Sequence, residues 1–310
     1  MTVSALFLGA WPSFAQTKPD SDQPQSGYTM RLSVDEVVLT FHATDSRGLP
    51  INDLKASEVR VVDNGAPPRR VISFESLVNR QIRAAVLLDT SESMQQGLAT
   101  SKLVAEYFAE NIFRQKSDQA TVLDFGYASE FVQPWTDDQA ALSRSIQNVR
   151  LGRMNPLPGT AIVDSVFRAC FYGFNKVDSS ATGNFILLLS DGEDNAGRTS
   201  LEEALRACQR SNTVIYAFLF PSNPDRPSTG PHSLRDLATQ TGGRVFPADD
   251  TPDAILKDLR IIESEIRNQY RLIYNPANLL HNGAFRPVEL KLPDRVNKVV
   301  VRAGYFAPLH

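Results

Sequence analysis

The chain reads as an α/β protein: a doubly wound, mostly parallel sheet with helices on both faces, joined to a small β domain built from its N- and C-terminal flanks. Near-continuous apolar runs carry the first half of that reading. "AAVLLD" at 84–89, "ATVLDFG" at 120–126, "FILLLSD" at 185–191 and "TVIYAFLF" at 213–220 have the Val, Ile and Leu content of strands covered on both faces. Helical stretches at 94–113, 161–176, 200–211 and 232–241 alternate with them, and strand-helix alternation predicts parallel pairing through crossover helices. The β part rests on a different rhythm, a period of two with hairpin-type turn residues, before and after that alternation.

Residues 1–15, "MTVSALFLGAWPSFA", carry no charged side chain, an apolar run from Val3 to Trp11, and the small-x-small sequence Ser13-Phe14-Ala15. They read as a secretory signal that lacks the usual basic start. Residues 16–27, "QTKPDSDQPQSG", are polar and rich in Pro, Gln and Ser, with nothing to pack a core, and read as a linker. From Tyr28 to about residue 80 apolar alternation is interrupted at Ser46-Arg47-Gly48 and at Asn64-Gly65, which predicts an N-terminal β segment. The α/β domain follows over 81–266. Its last helix starts at Thr251, a hydroxyl cap ahead of Pro252 and Asp253, and places Ile255, Leu259, Ile262 and Ile266 at helical spacing. "YRLIYN", "FRPVELKL" and "VVVRAGYF" in 267–310 return to strands. The two β segments are expected to pack together, since neither has enough strands for independent stability.

The 310 residues, 42% of them hydrophobic, are enough to bury a sizeable core. A formal net charge of -3, with no Lys/Arg cluster, argues against nucleic-acid binding, which draws on clustered basic residues. Beyond the leader no run approaches the roughly 18 apolar residues of a spanning helix, so no transmembrane helix is expected in the mature chain. The expected location is extracytoplasmic: periplasmic, cell-surface or secreted.

Three segments at strand ends and loops gather oxygen donors. Asp89, Ser91 and Ser93 follow the first apolar run, Thr160 follows Gly159 just before a helix, and Asp191 ends "LLLSD". None of the five offers nitrogen or sulfur, and they lie where open α/β sheets bind ligands, outside the carboxyl ends of the strands. Hard divalent cations take such oxygens: Mg²⁺ in octahedral geometry, with Mn²⁺ or Ca²⁺ as alternatives. Two carboxylates balance a dication while leaving its coordination open, so a carboxylate from another molecule can complete it. A helix N-cap is the plainer reading of Asp89, Ser91 and Ser93 taken alone. Glu92, Glu193 and Asp194 nearby read as solvated loop acids.

At these residues the chain resembles a von Willebrand factor A (VWA) domain with an intact metal-ion-dependent adhesion site (MIDAS). The family pattern is Asp-x-Ser-x-Ser, a Thr after glycine and a later Asp-Gly, and its ligands map onto Asp89, Ser91, Ser93, Thr160 and Asp191 in "DTSES", "PGTAIVDSV" and "LLLSDGED". The resemblance covers 81 to about 266 and implies a Rossmann-like fold. It also implies a metal held partly through water, and a partner protein's Glu or Asp as the last ligand. Leu157-Pro158 departs from the glycines common in the family. The flanks, through "DSRGLPINDL", "QYRLIYNP" and "VVVRAGYF", resemble bacterial VWFA-related proteins of Acidobacterial type, which implies export.

The remaining chemistry-bearing residues read blandly. His42, His232, His281 and His310 have no metal-ligand spacing and read as structural or surface residues. Cys170 and Cys208 flank the "FILLLSD" strand on helices that right-handed crossovers put on one face. A disulfide is open to them, although two small buried hydrophobes is the favoured reading. Asn155-Pro156-Leu157-Pro158 would make a stiff rim beside the site, more simply loop stiffening than partner contact. The function expected is a metal-dependent protein-binding module for adhesion or assembly. One alternative is an envelope component whose metal only stabilises. Phosphoryl transfer is disfavoured, because Ser91 stands where Asp-x-Asp phosphatases carry the second Asp, and no Walker-type loop or Gly-x-Ser-x-Gly elbow occurs.

Overall fold

The computed structural model describes residues 36–153, 157–174, 182–221, 231–248, 251–278 and 280–309. The leader and linker fall outside that set, as do His310, Asn155 and Pro156.

The centre is a six-stranded sheet of β4 (Ile82–Asp89), β5 (Gln119–Phe125), β6 (Ser129–Thr136), β7 (Gly183–Ser190), β8 (Thr213–Leu219) and β9 (Val245–Pro247). Its order is β6-β5-β4-β7-β8-β9, parallel throughout except for the antiparallel edge pair β5/β6. Strand order reverses between β4 and β7, the switch point of a doubly wound sheet.

The apolar runs alternate between two cores. Ala84, Val86 and Leu88 of β4 and Phe185, Leu187 and Leu189 of β7 pack under α1 (Leu98–Asn111), α2 (Gln139–Asn148) and α6 (Pro252–Arg267). Ala85 and Leu87, with Ile186 and Leu188, pack under α3 (Ile162–Arg168), α4 (Leu201–Arg210) and α5 (Pro231–Thr241). Residues 82–89 and 183–190 are buried on both faces throughout. Each Val, Ile or Leu so buried stabilises the fold by about 1.5–3 kcal/mol.

Caps follow the sequence signals. Thr251 Oγ1 accepts from Ala254 N at 3.3 Å ahead of α6, and Ser200 with Glu203 forms a capping box at α4. Three elements of the α/β part escaped the sequence reading: α2, β6 and the three-residue β9. α2 has a short amphipathic pattern with Asp138 as its cap, accepting from Ala140 N at 2.8 Å. β6 is a half-exposed edge strand with Pro134 inside it and so lacks an apolar run.

Strands of both flanks share sheets. β1 (Val37–Thr44), β3 (Arg70–Leu77), β10 (Gln269–Asn275) and β12 (Lys298–Val301) form a four-stranded antiparallel sheet in the order β12-β1-β10-β3. β2 (Arg60–Asp63), β11 (Phe285–Lys291) and β13 (Gly304–Phe306) form a second, in the order β13-β11-β2. Tyr270 of β10 stacks between Phe41 and Phe74 at 5.1 and 5.2 Å, and its hydroxyl donates to Ile51 O and accepts from Leu54 N. The Asn64-Gly65 turn has both residues at positive φ, 49° and 82°, as a two-residue type I′ hairpin requires.

After α3 the helix widens into a π-type segment, Ala169–Phe174. There Cys170 is disulfide-bonded to Cys208 of α4. Two separate buried hydrophobes, the reading favoured from sequence, is therefore corrected. Both side chains lie in the core under α3 and α4, with their Cα atoms 4.9 Å apart. Among the described residues no helix is long and apolar enough to cross a membrane.

Candidate metal centre

The site is built where β4 and β7 end side by side. Leu88 pairs with Leu189, so the next residue on each strand, Asp89 and Ser190, ends its strand in step with the other. Ser190 Oγ donates to Asp89 Oδ2 at 2.6 Å, and the Asp89 Oδ1 atom accepts from Ser91 N at 2.9 Å. Ser190 was not singled out from sequence, although its place beside Asp191 at a strand end was the signal. The Ser190 hydroxyl also accepts from Gly192 N at 3.0 Å, in a turn where Gly192 has φ 85°.

Ser91 opens a 3₁₀ turn at Glu92–Gln95, yet its side chain makes no capping hydrogen bond. Its hydroxyl meets the Ser93 hydroxyl at 3.0 Å instead. α1 begins later with Gly97 at its N-cap position. The helix-capping account of these serines therefore fails on geometry.

Thr160 arrives from a separate loop, latched to the segment after Asp191. Asn195 Oδ1 accepts from Thr160 N at 2.8 Å, and Thr160 O accepts from Asn195 N and Ala196 N at 3.0 Å each. Gly159, at φ 131°, makes this approach possible, because a Cβ there would stand 2.8 Å from Ala196 Cβ. Ala161 N in turn donates to Gly126 O after β5. Asn195 is a second residue missed from sequence, being only a polar loop residue until the two loops meet.

Burial sets the electrostatics. Asp89, Asp191 and Thr160 are 0–2% exposed. Burial pushes the Asp89 carboxyl up to about 7 against the hydrogen bonds from Ser190 and Ser91, and the Asp191 charge adds to the rise. Asp191 Oδ1 accepts from Glu193 N at 3.2 Å, while its Oδ2 is buried with no hydrogen-bond partner. An ionised oxygen buried without a partner costs several kcal/mol unless a cation meets it. A third carboxylate, Asp124 at the end of β5, was also missed. It accepts from Thr90 Oγ1 at 2.7 Å, with Arg153 Nε at 4.0 Å from its other oxygen.

The neighbouring acids divide. Glu92 is exposed. Asp194 is not merely solvated: its Oδ1 accepts from Ile162 N at 3.0 Å at the start of α3, and burial raises its pKa. Leu157, on the described part of the expected rim, is 54% exposed.

The donor set fits a hard dication. It comprises two buried carboxylates, one with an orphaned oxygen, and hydroxyls at Ser91, Ser93 and Thr160. Among the described residues no cluster of three or more His, Cys, Asp or Glu offers an alternative metal site.

The family model of the von Willebrand factor type A domain matches residues 85–260, more than half of the 310-residue chain. The chain belongs to the VWA family. Among solved structures, an aerotolerance-related membrane protein of Bacteroides fragilis is similar at 16% identity and TM-score 0.49, over 60% of this chain and 98% of that one. A von Willebrand factor type A protein of Catenulispora acidiphila is similar at 14% identity and TM-score 0.46, over 83% and 75%. Proximal thread matrix protein 1 of the mussel byssus, whose MIDAS motif holds zinc, is similar at 16% identity and TM-score 0.48. This chain spans 48% of its length. No curated protein matches the chain. Membership in the VWA family points to a protein-interaction module.

Proposed function

We propose that this VWA protein is an extracytoplasmic binding module that captures an acidic side chain of a partner protein through Mg²⁺. Asp89, Ser91, Ser93, Thr160 and Asp191 would hold the ion, directly or through water. Bound there, the ion supplies an electrophilic position that a Glu or Asp carboxylate can complete. The observation that carries the reading is the buried, unpartnered Asp191 Oδ2 beside a desolvated Asp89, in a fold whose switch point lies between their strands.

The chain's own groups do the positioning. Ser190 and the Ser91 amide fix the Asp89 carboxylate, and Asn195 fixes the Thr160 backbone, so the oxygens are aimed before any ion arrives. The exposed Leu157 offers an apolar contact beside the site. Export is supported by the leader-like residues 1–15, by the resemblance of the flanks to the Acidobacterial type, and by a disulfide, which persists in oxidising compartments. The reading is non-catalytic.

Immobilised wild-type protein should retain an envelope partner in Mg²⁺ and release it in EDTA, and Asp89→Ala should retain none in either. Capture that is indifferent to both EDTA and Asp89→Ala would refute receptor use of the ion. A melting temperature lowered by EDTA with capture intact would assign the ion to stability alone.

A further inference from the structure

A cavity of about 540 Å³ lies between α6 and the β1/β12 edge, and none of the five oxygen-bearing residues of the metal centre lines it. That volume suits a small organic molecule. Its charge is lopsided. α6 contributes Lys257 and Arg260, β12 contributes Lys298, and Arg244 precedes β9, against the single carboxylate Glu265. Arg244 is ion-paired with Glu265, and Arg260 with Glu263 at 2.8 Å. Among the described residues no ion pair engages Lys257 or Lys298. Partial burial, and after it the neighbouring Arg244, lower the pKa of Lys298.

Apart from the ion-paired Arg244 Nη2, two buried polar atoms at this cavity have no hydrogen-bond partner. His42, 2% exposed, meets Asn268 O through Nδ1 at 2.5 Å. A carbonyl only accepts, so Nδ1 carries the proton and Nε2 is left as a lone pair, buried and without a partner. Burial, with Arg244 and Lys298 adding to it, holds this imidazole below the ordinary histidine range. Glu265 Oε2 is likewise buried with no hydrogen-bond partner. Thr44 and Ser264 add hydroxyls to the lining, and Ile261 and Val300 add apolar wall.

We propose that this cavity binds a small hydroxylated oxyanion, a phosphate- or carboxylate-bearing organic molecule. Lys257, Lys298 and Arg260 meet the anionic group, and Glu265 Oε2 accepts from a ligand hydroxyl. An anion in place offsets the positive field and lets His42 take a proton on Nε2, which then becomes a donor. The two possible head groups share this chemistry and differ in shape and charge, so paired probes tell them apart.

The test uses the full chain stripped of divalent ions on a chelating resin and kept in metal-free buffer, so that the metal centre cannot contribute and no soluble carboxylate chelator competes. Inorganic pyrophosphate and citrate are titrated by calorimetry, with the His42 Cε1–H resonance followed by NMR. One probe should bind saturably at one site per chain and shift that resonance. Lys257→Ala and Lys298→Ala should each weaken binding about tenfold or more, the size of a lost charge-assisted contact. Both side chains are exposed, so the variants should melt as wild type does without ligand. Asp89→Ala should bind the probe unchanged. Preference for pyrophosphate assigns a phosphate head group, and preference for citrate a carboxylate. No saturable binding of either probe, or binding indifferent to both lysine variants, overturns the proposal.

Discussion

The two ends of the central sheet treat buried charge in opposite ways. At the amino end of β5, Asp118 is fully buried and every oxygen is matched. Oδ2 takes Arg267 Nη2 at 2.6 Å and Arg114 N at 2.9 Å, and Oδ1 takes Ile82 N at 3.0 Å and Arg267 Nη1 at 3.2 Å. Arg267 spends its remaining donors on Glu263 Oε1, Arg80 O and Ile112 O. At the carboxyl end, Asp89 and Asp191 are as deeply buried, but among the described residues neither is ion-paired and Asp191 Oδ2 has no hydrogen-bond partner. A buried carboxylate that the fold itself neutralises is architecture. A pair left unneutralised is a site for a charge from outside.

The contrast is broken most severely at the architectural end. Asp118→Ala strands the Arg267 guanidinium in the core and should cost about 3–5 kcal/mol, read as a lowered midpoint in denaturant unfolding. Opening the disulfide with Cys170→Ala/Cys208→Ala releases a loop of sequence separation 38 and should cost up to about 4 kcal/mol. Divalent binding should survive that change at temperatures where the variant stays folded, because the bridge lies in the core beneath α3 and α4. Asn195→Ala removes no proposed ligand but frees the backbone of one, Thr160. It should cost about 1 kcal/mol in stability and roughly tenfold in Mg²⁺ affinity, since Thr160 loses its anchor.

The smallest effect concerns pH. His42 is held below its unfolded value of 6.5, so its contribution to stability is present above that pH and is lost as the pH falls through 6.5 toward the folded value. The fall in melting temperature between pH 7 and pH 5 should therefore be shallower in His42→Gln than in wild type.

Much of this was readable in the residues. Strands buried on both faces leave no polar position free, so "AAVLLD" and "FILLLSD" declare themselves, and the hairpin glycines and the Thr251 cap obey local rules. β6 and α2 were hidden because an edge strand and a short surface helix carry weak patterns. The oxygen set was visible in Asp89, Ser91, Ser93, Thr160 and Asp191 because each sits beside a strand end or a glycine. The residues that aim them were not. Ser190 becomes a partner of Asp89 only through the β4/β7 register, Asn195 reaches Thr160 only once two loops meet, and Asp124 is a neighbour only because β5 lies next to β4. Such contacts are set by tertiary register, which a single sequence does not print. The Cys170–Cys208 bridge belongs with them, since it joins the π-type segment after α3 to α4 through residues 38 apart in sequence that meet only in the folded core.

The central claim is that the Asp89/Asp191 pair lacks, among the described residues, the cation that Asp118 already has in Arg267. Calorimetric titration of Mg²⁺ into wild-type protein and Asp191→Asn tests it most directly, because the amide keeps the shape of the side chain and removes only its charge. Wild type should bind one ion per chain, and Asp191→Asn should lose binding while melting, without metal, no lower than wild type. Equal Mg²⁺ affinity in the two proteins, or no Mg²⁺ binding by wild type, would contradict the account.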